Sequence, residues 1–134
     1  YITFVDADDW VEHQYIEQLA RVMIEKQADY VTCGYNRVYA NQNEKINYSG
    51  RIIEYTPKEY LVKLLNVQLG YGFCHMKLIK RNVIKDKRFY DKLIVGEDAF
   101  FNVELCENMK KITILEKTLY NYRFNENESL YPQR

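Results

Sequence analysis

The sequence lacks three features that would assign a protein class at once: excess charge of one sign, paired cysteines and long apolar runs. Its 134 residues carry 19 lysines and arginines against 19 aspartates and glutamates, and without excess positive charge the chain is a poor candidate for binding nucleic acid. Cys33, Cys74 and Cys106 lie far apart, so they form neither a full disulfide set nor a metal-binding pattern, and we expect buried thiols in a reducing compartment. No run approaches the about 18 apolar residues of a membrane-spanning helix.

What is present is the composition of a globular protein. Hydrophobic residues make up 47% and charged residues 28%, which argues against disorder. No internal repeat or low-complexity linker divides the chain, so we predict one domain over residues 1–134. The 13 tyrosines are unusual, and we expect most of them to pack in the interior.

Apolar periodicity and turn signals predict alternating helices and strands. Thr56 and Pro57 form a typical helix start, with a capping residue followed by proline at the first helical position. The alternation favours an α/β arrangement with a mixed sheet. The predicted helices cover about 12–27, 57–67, 81–85 and the residues after Gly96, and the predicted strands cover 1–5, 30–39, 45–55 (paired with 30–39 as a hairpin), 76–79, 111–115 and 119–122.

Three acidic residues follow the first predicted strand. Asp6 and Asp8 are two residues apart, and alternate side chains of an extended chain point the same way. Two hard oxygen donors at the carboxyl end of a strand suit Mg²⁺ or Mn²⁺, and ligands of open α/β sheets gather at that edge. The alternative is a loop that enters the helix, with Asp9 as the helix cap. Repulsion among adjacent carboxylates favours the cation.

Four motifs, in order along the chain, resemble those of A-type (GT-A) family 2 glycosyltransferases. Phe4–Trp10 is similar to the family's aspartate motif, and Gly96–Phe101 is similar to its second acidic motif. Residues 74–81 resemble a lysine-leucine-aromatic-lysine-arginine string, although the aromatic that is common just before the lysine is absent. Residues 120–123, with Ser129 beyond them, resemble the closing tyrosine-x-tyrosine-arginine stretch.

The resemblance implies a partial GT-A fold, a mixed sheet flanked by helices, in which residues 1–134 are the C-terminal part of a catalytic domain. The nucleotide-binding half would precede Tyr1. The implied reaction is inverting transfer from a nucleoside diphosphate sugar to an acceptor hydroxyl, with Mg²⁺ or Mn²⁺, in bacterial surface polysaccharide synthesis. The implied acceptor is a glycan or is lipid-linked, and the implied location is cytoplasmic or peripheral at the inner face of the plasma membrane. We expect this chain alone to be inactive and to self-associate through an exposed sheet edge.

The resemblance also implies roles for individual residues. Asp6 and Asp8 would hold the cation, and Asp98 would be the base that accepts the acceptor's proton. Glu97 would raise the pKa of Asp98 or orient its loop. For Glu97 and Asp98 the alternative is stabilisation of a helix dipole. For the donor and acceptor candidates named next, the alternative is packing or a surface position. The candidates for the donor diphosphate or sugar are Asp9, Lys77 and Arg123, and those for the acceptor are Tyr71, Phe73 and His75.

Two other classes fit parts of the sequence. A strand followed by Asp-x-Asp also opens the haloacid-dehalogenase-type phosphatases, but these usually have threonine or valine shortly afterwards, where this chain has Asp9 and Trp10. A non-catalytic sugar- or protein-binding module on the same scaffold stays open as the alternative function.

Overall fold

The structure is a computed structural model that describes residues 1–65 and 70–124. Helices and strands alternate along these residues, as the sequence predicts. In chain order the elements are β1 (Trp10–Val11), α1 (Tyr15–Glu25), β2 (Tyr30–Val38), β3 (Asn43–Ile46), β4 (Ile52–Tyr55), α2 (Pro57–Leu64), β5 (Lys77–Ile79), α3 (Arg81–Ile84), α4 (Glu97–Cys106) and β6 (Ile112–Arg123).

The two long strands β2 and β6 form the centre of the sheet and run parallel to each other. Shorter strands extend the sheet on both sides, and all of them pair antiparallel. β5 and β3 follow one another along β2, and β4 and β1 do the same along β6. The sheet is therefore mixed, which confirms the predicted fold class.

Helices cover both faces of this sheet. Because successive side chains of a strand point to opposite faces, β2 contributes Val31 and Cys33 to a core with Leu19 and Val22 of α1. Its Tyr30 belongs to a second core, formed with α2 and α4 on the other face. The buried residues that α2, α4 and β6 add to this second core are Tyr60, Leu64, Phe101, Leu105, Ile112 and Ile114.

An irregularity in the β2–β6 ladder shifts the register of β6. Cys33 pairs with Leu115, but the next residue, Gly34, pairs with Thr118. A Cβ atom on Gly34 would lie 2.0 Å from the backbone oxygen of Asn47, so only glycine allows this close approach of the chain after β3. The shift sets which residues in the second half of β6 face the first acidic motif.

Some predicted elements were wrong in extent or partner. The opening run 1–5 is not a strand in the described structure, because only Ile2 reaches a partner, in an isolated bridge to Ile79. The segment 45–55 is two elements, since Asn47 and Gly50 adopt positive φ angles of 56° and 82°. The second of them, β4, pairs with β6 and not with β2.

Other differences concern boundaries. The predicted strands 111–115 and 119–122 are one continuous strand, β6. The first helix spans 15–25 and not 12–27. The predicted end of the second helix, near residue 67, and Ser129 lie outside the described residues. None of the helices in the described ranges has the length and apolar character needed to cross a membrane.

Candidate active site

The first acidic motif forms a tight turn that lies against β6. The backbone N–H of Asp9 donates to the carbonyl of Asp6 at 3.1 Å and closes the turn. Trp10 then enters β1, which pairs with β6 opposite Asn121. The sequence predicts that these acidic residues follow a strand over residues 1–5, whereas in the structure they precede the strand β1.

The Asp9 carboxylate is bound at both oxygens by groups of β6. The Tyr120 hydroxyl donates to Oδ2 at 2.6 Å, and the backbone N–H of Arg123 donates to Oδ1 at 2.8 Å. Burial raises the pKa of Asp9, against the effect of these two hydrogen bonds. The helix-capping alternative for Asp9 is wrong, because the residue that precedes α1 is Gln14.

The Asp6 carboxylate contacts a residue that is distant in sequence. Nδ1 of His75 lies 3.1 Å from Oδ2 of Asp6. This hydrogen bond is the main cause that lowers the pKa of Asp6, and burial acts against it. Sequence reasoning missed the pair, since no spacing rule links residues 69 positions apart. The one signal was that residues 74–76 lack the aromatic that is common at this point of the family pattern.

His75 itself is only 3% exposed and lies in a group of aromatic rings. The ring of Tyr120 stacks on the imidazole at 4.7 Å with an interplanar angle of 10°. Phe73 and Tyr122 stack at 4.9 Å and 5.5 Å. The structure therefore places His75 under the acidic turn and not at a surface, a position that does not support the acceptor contact predicted for it.

Asp6, Asp9 and His75 form a cluster of possible metal ligands. Each offers one ligand atom, and these atoms all lie within 4.8 Å of one another. Carboxylate oxygens suit Mg²⁺ or Mn²⁺, so the donor set fits a divalent cation. Of the two predicted metal ligands, which are both exposed, Asp6 is in the cluster and Asp8 is outside it. The metal-binding role of Asp8 stays a prediction.

The second acidic motif begins α4. Gly96 precedes the helix with φ of 86°, a left-handed conformation that favours glycine. Oδ2 of Asp98 accepts a hydrogen bond from the backbone N–H of Cys74 at 2.9 Å. Glu97 and Asp98 both lie in the first turn of α4, where carboxylates suit the helix dipole, so the dipole alternative also fits.

One short segment therefore connects the two acidic motifs. Cys74 binds Asp98 through its backbone, and the next residue, His75, binds Asp6 through its side chain. Beside this segment lies a cavity of about 180 Å³, lined by Phe73 and Asp98 among mostly apolar neighbours. The structure thus brings Phe73, a predicted acceptor contact, next to the predicted base.

Two other predicted site residues, Lys77 and Tyr71, lie in the interior, and a third, Arg123, lies near the acidic turn. Lys77 is fully buried; its ammonium donates to the Phe73 carbonyl, and burial lowers its pKa to about 8. Tyr71 is buried in the second core. These positions do not support the diphosphate and acceptor contacts predicted for the two residues. Arg123 is exposed near the acidic turn, with its guanidinium 5.7 Å from the centre of the Trp10 ring.

The sequence matches the family model described as "Glycosyl transferase family 2" over residues 1–87. The chain belongs to glycosyl transferase family 2. The resemblance drawn from the four motifs is thereby confirmed, and the phosphatase alternative is wrong. The remaining residues, which include the second acidic motif, lie beyond the matched range.

Curated relatives of the chain are named as glycosyltransferases. The chain is 29% identical over 138 residues to the glycosyltransferase GlyA of Streptococcus pneumoniae, with 94% of this chain and 19% of GlyA covered. It is 28% identical to EpsH of Bacillus subtilis, which is named as a glycosyltransferase, with 93% of this chain and 38% of EpsH covered. The chain therefore spans well under half the length of these relatives.

The fold is shared with a solved member of the GT-A class. The crystal structure of S. aureus TarS 1-349 in complex with UDP-GlcNAc matches with a TM-score of 0.71 at 24% identity. The match covers 97% of this chain and 37% of the TarS chain. This likeness shows a common fold, a mixed sheet flanked by helices.

Proposed function

We propose that this chain carries the acidic half of the active site of an inverting, metal-dependent glycosyltransferase. The observation that supports this most is that the two acidic motifs, far apart in sequence, meet the same segment at Cys74 and His75. A nucleoside diphosphate sugar is the proposed donor, since a protein of the same fold, TarS, has a structure with UDP-GlcNAc.

In this proposal the first acidic turn serves the donor. Asp6 and Asp8 would hold Mg²⁺ or Mn²⁺, which when bound supplies Lewis-acid stabilisation of the charge on the leaving diphosphate. Asp9 keeps the turn against β6 through Tyr120 and Arg123. The Arg123 guanidinium, exposed beside the turn, offers fixed positive charge to the same diphosphate.

The second motif serves the acceptor. Asp98 would accept the proton of the acceptor hydroxyl as the sugar is transferred. The backbone N–H of Cys74 donates to Oδ2 and orients the carboxylate. The cavity beside Phe73 lies next to this carboxylate, and Glu97 would orient the turn that carries it.

For the whole protein we propose a role in bacterial surface polysaccharide synthesis, with a glycan or lipid-linked acceptor, at or near the inner face of the plasma membrane. The names of GlyA and EpsH as glycosyltransferases support the reaction class. Because the chain covers 37% of TarS, we propose that residues 1–134 alone do not transfer sugar.

The test is turnover of the whole protein with nucleotide sugars, measured as release of nucleoside diphosphate with and without Mn²⁺. Asp98→Asn keeps the shape of the side chain but cannot accept a proton, so we expect turnover to fall roughly 10²–10⁴-fold, with donor binding nearly unchanged. Glu97→Gln is the matched control and should retain far more activity. Near-normal turnover in Asp98→Asn would contradict the role of Asp98. Sugar binding without any turnover in the unaltered protein would favour the non-catalytic module.

A further inference from the structure

We infer that His75 is a positioning residue, whose Nδ1–H holds the Asp6 carboxylate in place within the acidic turn. The inference rests on the proposed function, in which Asp6 holds the cation. It differs from the acceptor contact expected of His75, because the residue acts through Asp6 and does not touch a substrate.

The hydrogen-bond partner assigns the proton on the imidazole. An ionised carboxylate only accepts hydrogen bonds, and a neutral imidazole has one N–H. The nitrogen that faces Oδ2 of Asp6 at 3.1 Å is Nδ1, so Nδ1 carries the proton. Nε2 is then an acceptor, and it is buried without a hydrogen-bond partner among the described residues.

This unpartnered nitrogen argues against a purely packing role for His75. Burial of a polar atom without a partner costs free energy, and a phenylalanine would fill a 97%-buried aromatic site without that cost. Within the described structure, the one hydrogen bond that the ring makes is to Asp6. The hydrogen bond that the ring donates to the Asp6 carboxylate therefore explains why a histidine occupies this position.

The surrounding rings fix the direction in which Nδ1 points. Phe73, Tyr120 and Tyr122 all stack on the imidazole with interplanar angles of 10° to 23°. Tyr120 also donates to Asp9, and its hydroxyl oxygen accepts from the backbone N–H of Asp6. The stacked pair of His75 and Tyr120 therefore contacts both Asp6 and Asp9, and His75 lies behind Asp6 as hydrogen-bonding residues behind metal ligands commonly do.

A direct metal ligand at His75 is the competing explanation, and two substitutions separate it from positioning. His75→Asn places an amide N–H near the position of Nδ1 and provides no imidazole to bind metal. His75→Phe keeps a ring in the stack and removes the donor. His13→Asn, at the exposed second histidine of the chain, is the matched control.

The experiment measures the Kd of Mn²⁺ for the whole protein in the presence of UDP, from the electron paramagnetic resonance signal of free Mn²⁺. We expect His75→Phe to raise the Kd roughly 10–100-fold, the usual cost of losing a group that orients a ligand. His75→Asn should recover most of that loss, and His13→Asn should bind as the unaltered protein does. Thermal unfolding of each variant establishes that it is folded.

Several results would overturn the inference. A folded His75→Phe with unchanged Kd shows that Asp6 needs no positioning, and failure of His75→Asn to recover binding shows that the N–H donor is not what matters. If His75→Phe does not fold, His75→Gln replaces it, because the glutamine amide lies where Nε2 of the imidazole was and not where Nδ1 was. Equal Kd values of Mn²⁺ for the Asn and Gln variants would then overturn the inference.

Asp6→Asn separates this inference from the proposed function. If Asp6→Asn binds Mn²⁺ normally, the assignment of Asp6 to the cation fails and the inference fails with it. If Asp6→Asn loses Mn²⁺ while His75→Phe retains it, only the inference about His75 fails.

Discussion

The two acidic motifs of this protein are held in different ways. The second motif is held by its own helix and by one backbone contact, since Asp98 lies in the first turn of α4 and accepts a hydrogen bond from the N–H of Cys74, 24 positions away. The first motif is held from a distance, by side chains and backbone of β6 and by His75. The carboxylate at the helix start is therefore held by backbone groups, whereas the carboxylates in the turn also depend on side chains of the sheet behind them.

Among the changes to the first turn, the largest effect should come from Asp8. We predict that Asp8→Asn lowers turnover of the whole protein on the order of 10²–10³-fold, because Lewis-acid stabilisation is worth several kcal/mol and each 1.36 kcal/mol is tenfold. Steady-state kinetics across a Mn²⁺ titration is the measurement. If Asp9→Asn has this effect and Asp8→Asn does not, Asp9 is the ligand and the assignment of Asp8 is wrong.

The hydrogen bond that holds the first turn against β6 can be removed without substituting an acidic residue. Tyr120→Phe deletes the hydroxyl that donates to Asp9 at 2.6 Å, and hydrogen bonds to charged groups contribute about 1.5–3 kcal/mol. We expect a loss of unfolding free energy of about that size in urea, together with weaker Mn²⁺ binding. Tyr122→Phe is the matched control, since its hydroxyl makes no hydrogen bond in the described part of the chain. Equal losses in both variants would mean that the Asp9 bond contributes nothing specific.

The register of β6 offers a third way to perturb the first motif alone. Gly34→Ala brings a methyl group against the carbonyl of Asn47, and such overpacking costs typically about 1–3 kcal/mol. Stability should fall by that amount in chemical denaturation, and Mn²⁺ affinity should fall because Tyr120 shifts with β6. Gly72→Ala is the comparison, because its Cβ would lie at ordinary contact distance, 3.5 Å from Ala99. Unchanged stability in Gly34→Ala would show that the crossing chain adjusts at no cost.

The smallest expected effect is on protonation. The hydrogen bond from His75 is the main cause that holds the pKa of Asp6 below its ordinary value of 3.8. A depressed carboxyl pKa adds stability above pH 3.8, and that stability is lost as the pH falls through the lower folded-state pKa. In His75→Phe the pKa of Asp6 should therefore rise, as followed by carboxyl-carbon NMR. A pKa that stays low in that variant would show that another group stabilises the Asp6 carboxylate.

The same contrast explains what could be predicted from the sequence. The start of α2 was predictable because Thr56 and Glu59 form a capping box within four residues, and the helix that carries Asp98 was predictable because Gly96 precedes it. The partners of the first turn were not predictable. Asp9 meets Tyr120 across 111 positions, and which side chain of β6 faces it depends on the register shift at Gly34. That shift lies where the chain near Asn47 approaches Gly34 closely, a contact that no local sequence pattern predicts.

The central claim is that the first turn serves the donor and its cation while Asp98 serves the acceptor. Anomalous X-ray diffraction from crystals of the whole protein with Mn²⁺ and UDP tests it most directly. The account predicts a manganese peak bound to carboxylates of the first turn, including Asp6, with Asp98 still bonded to the backbone of Cys74 and free of metal. A peak on Asp98 or Glu97, or one that leaves Asp6 unbound, would contradict it.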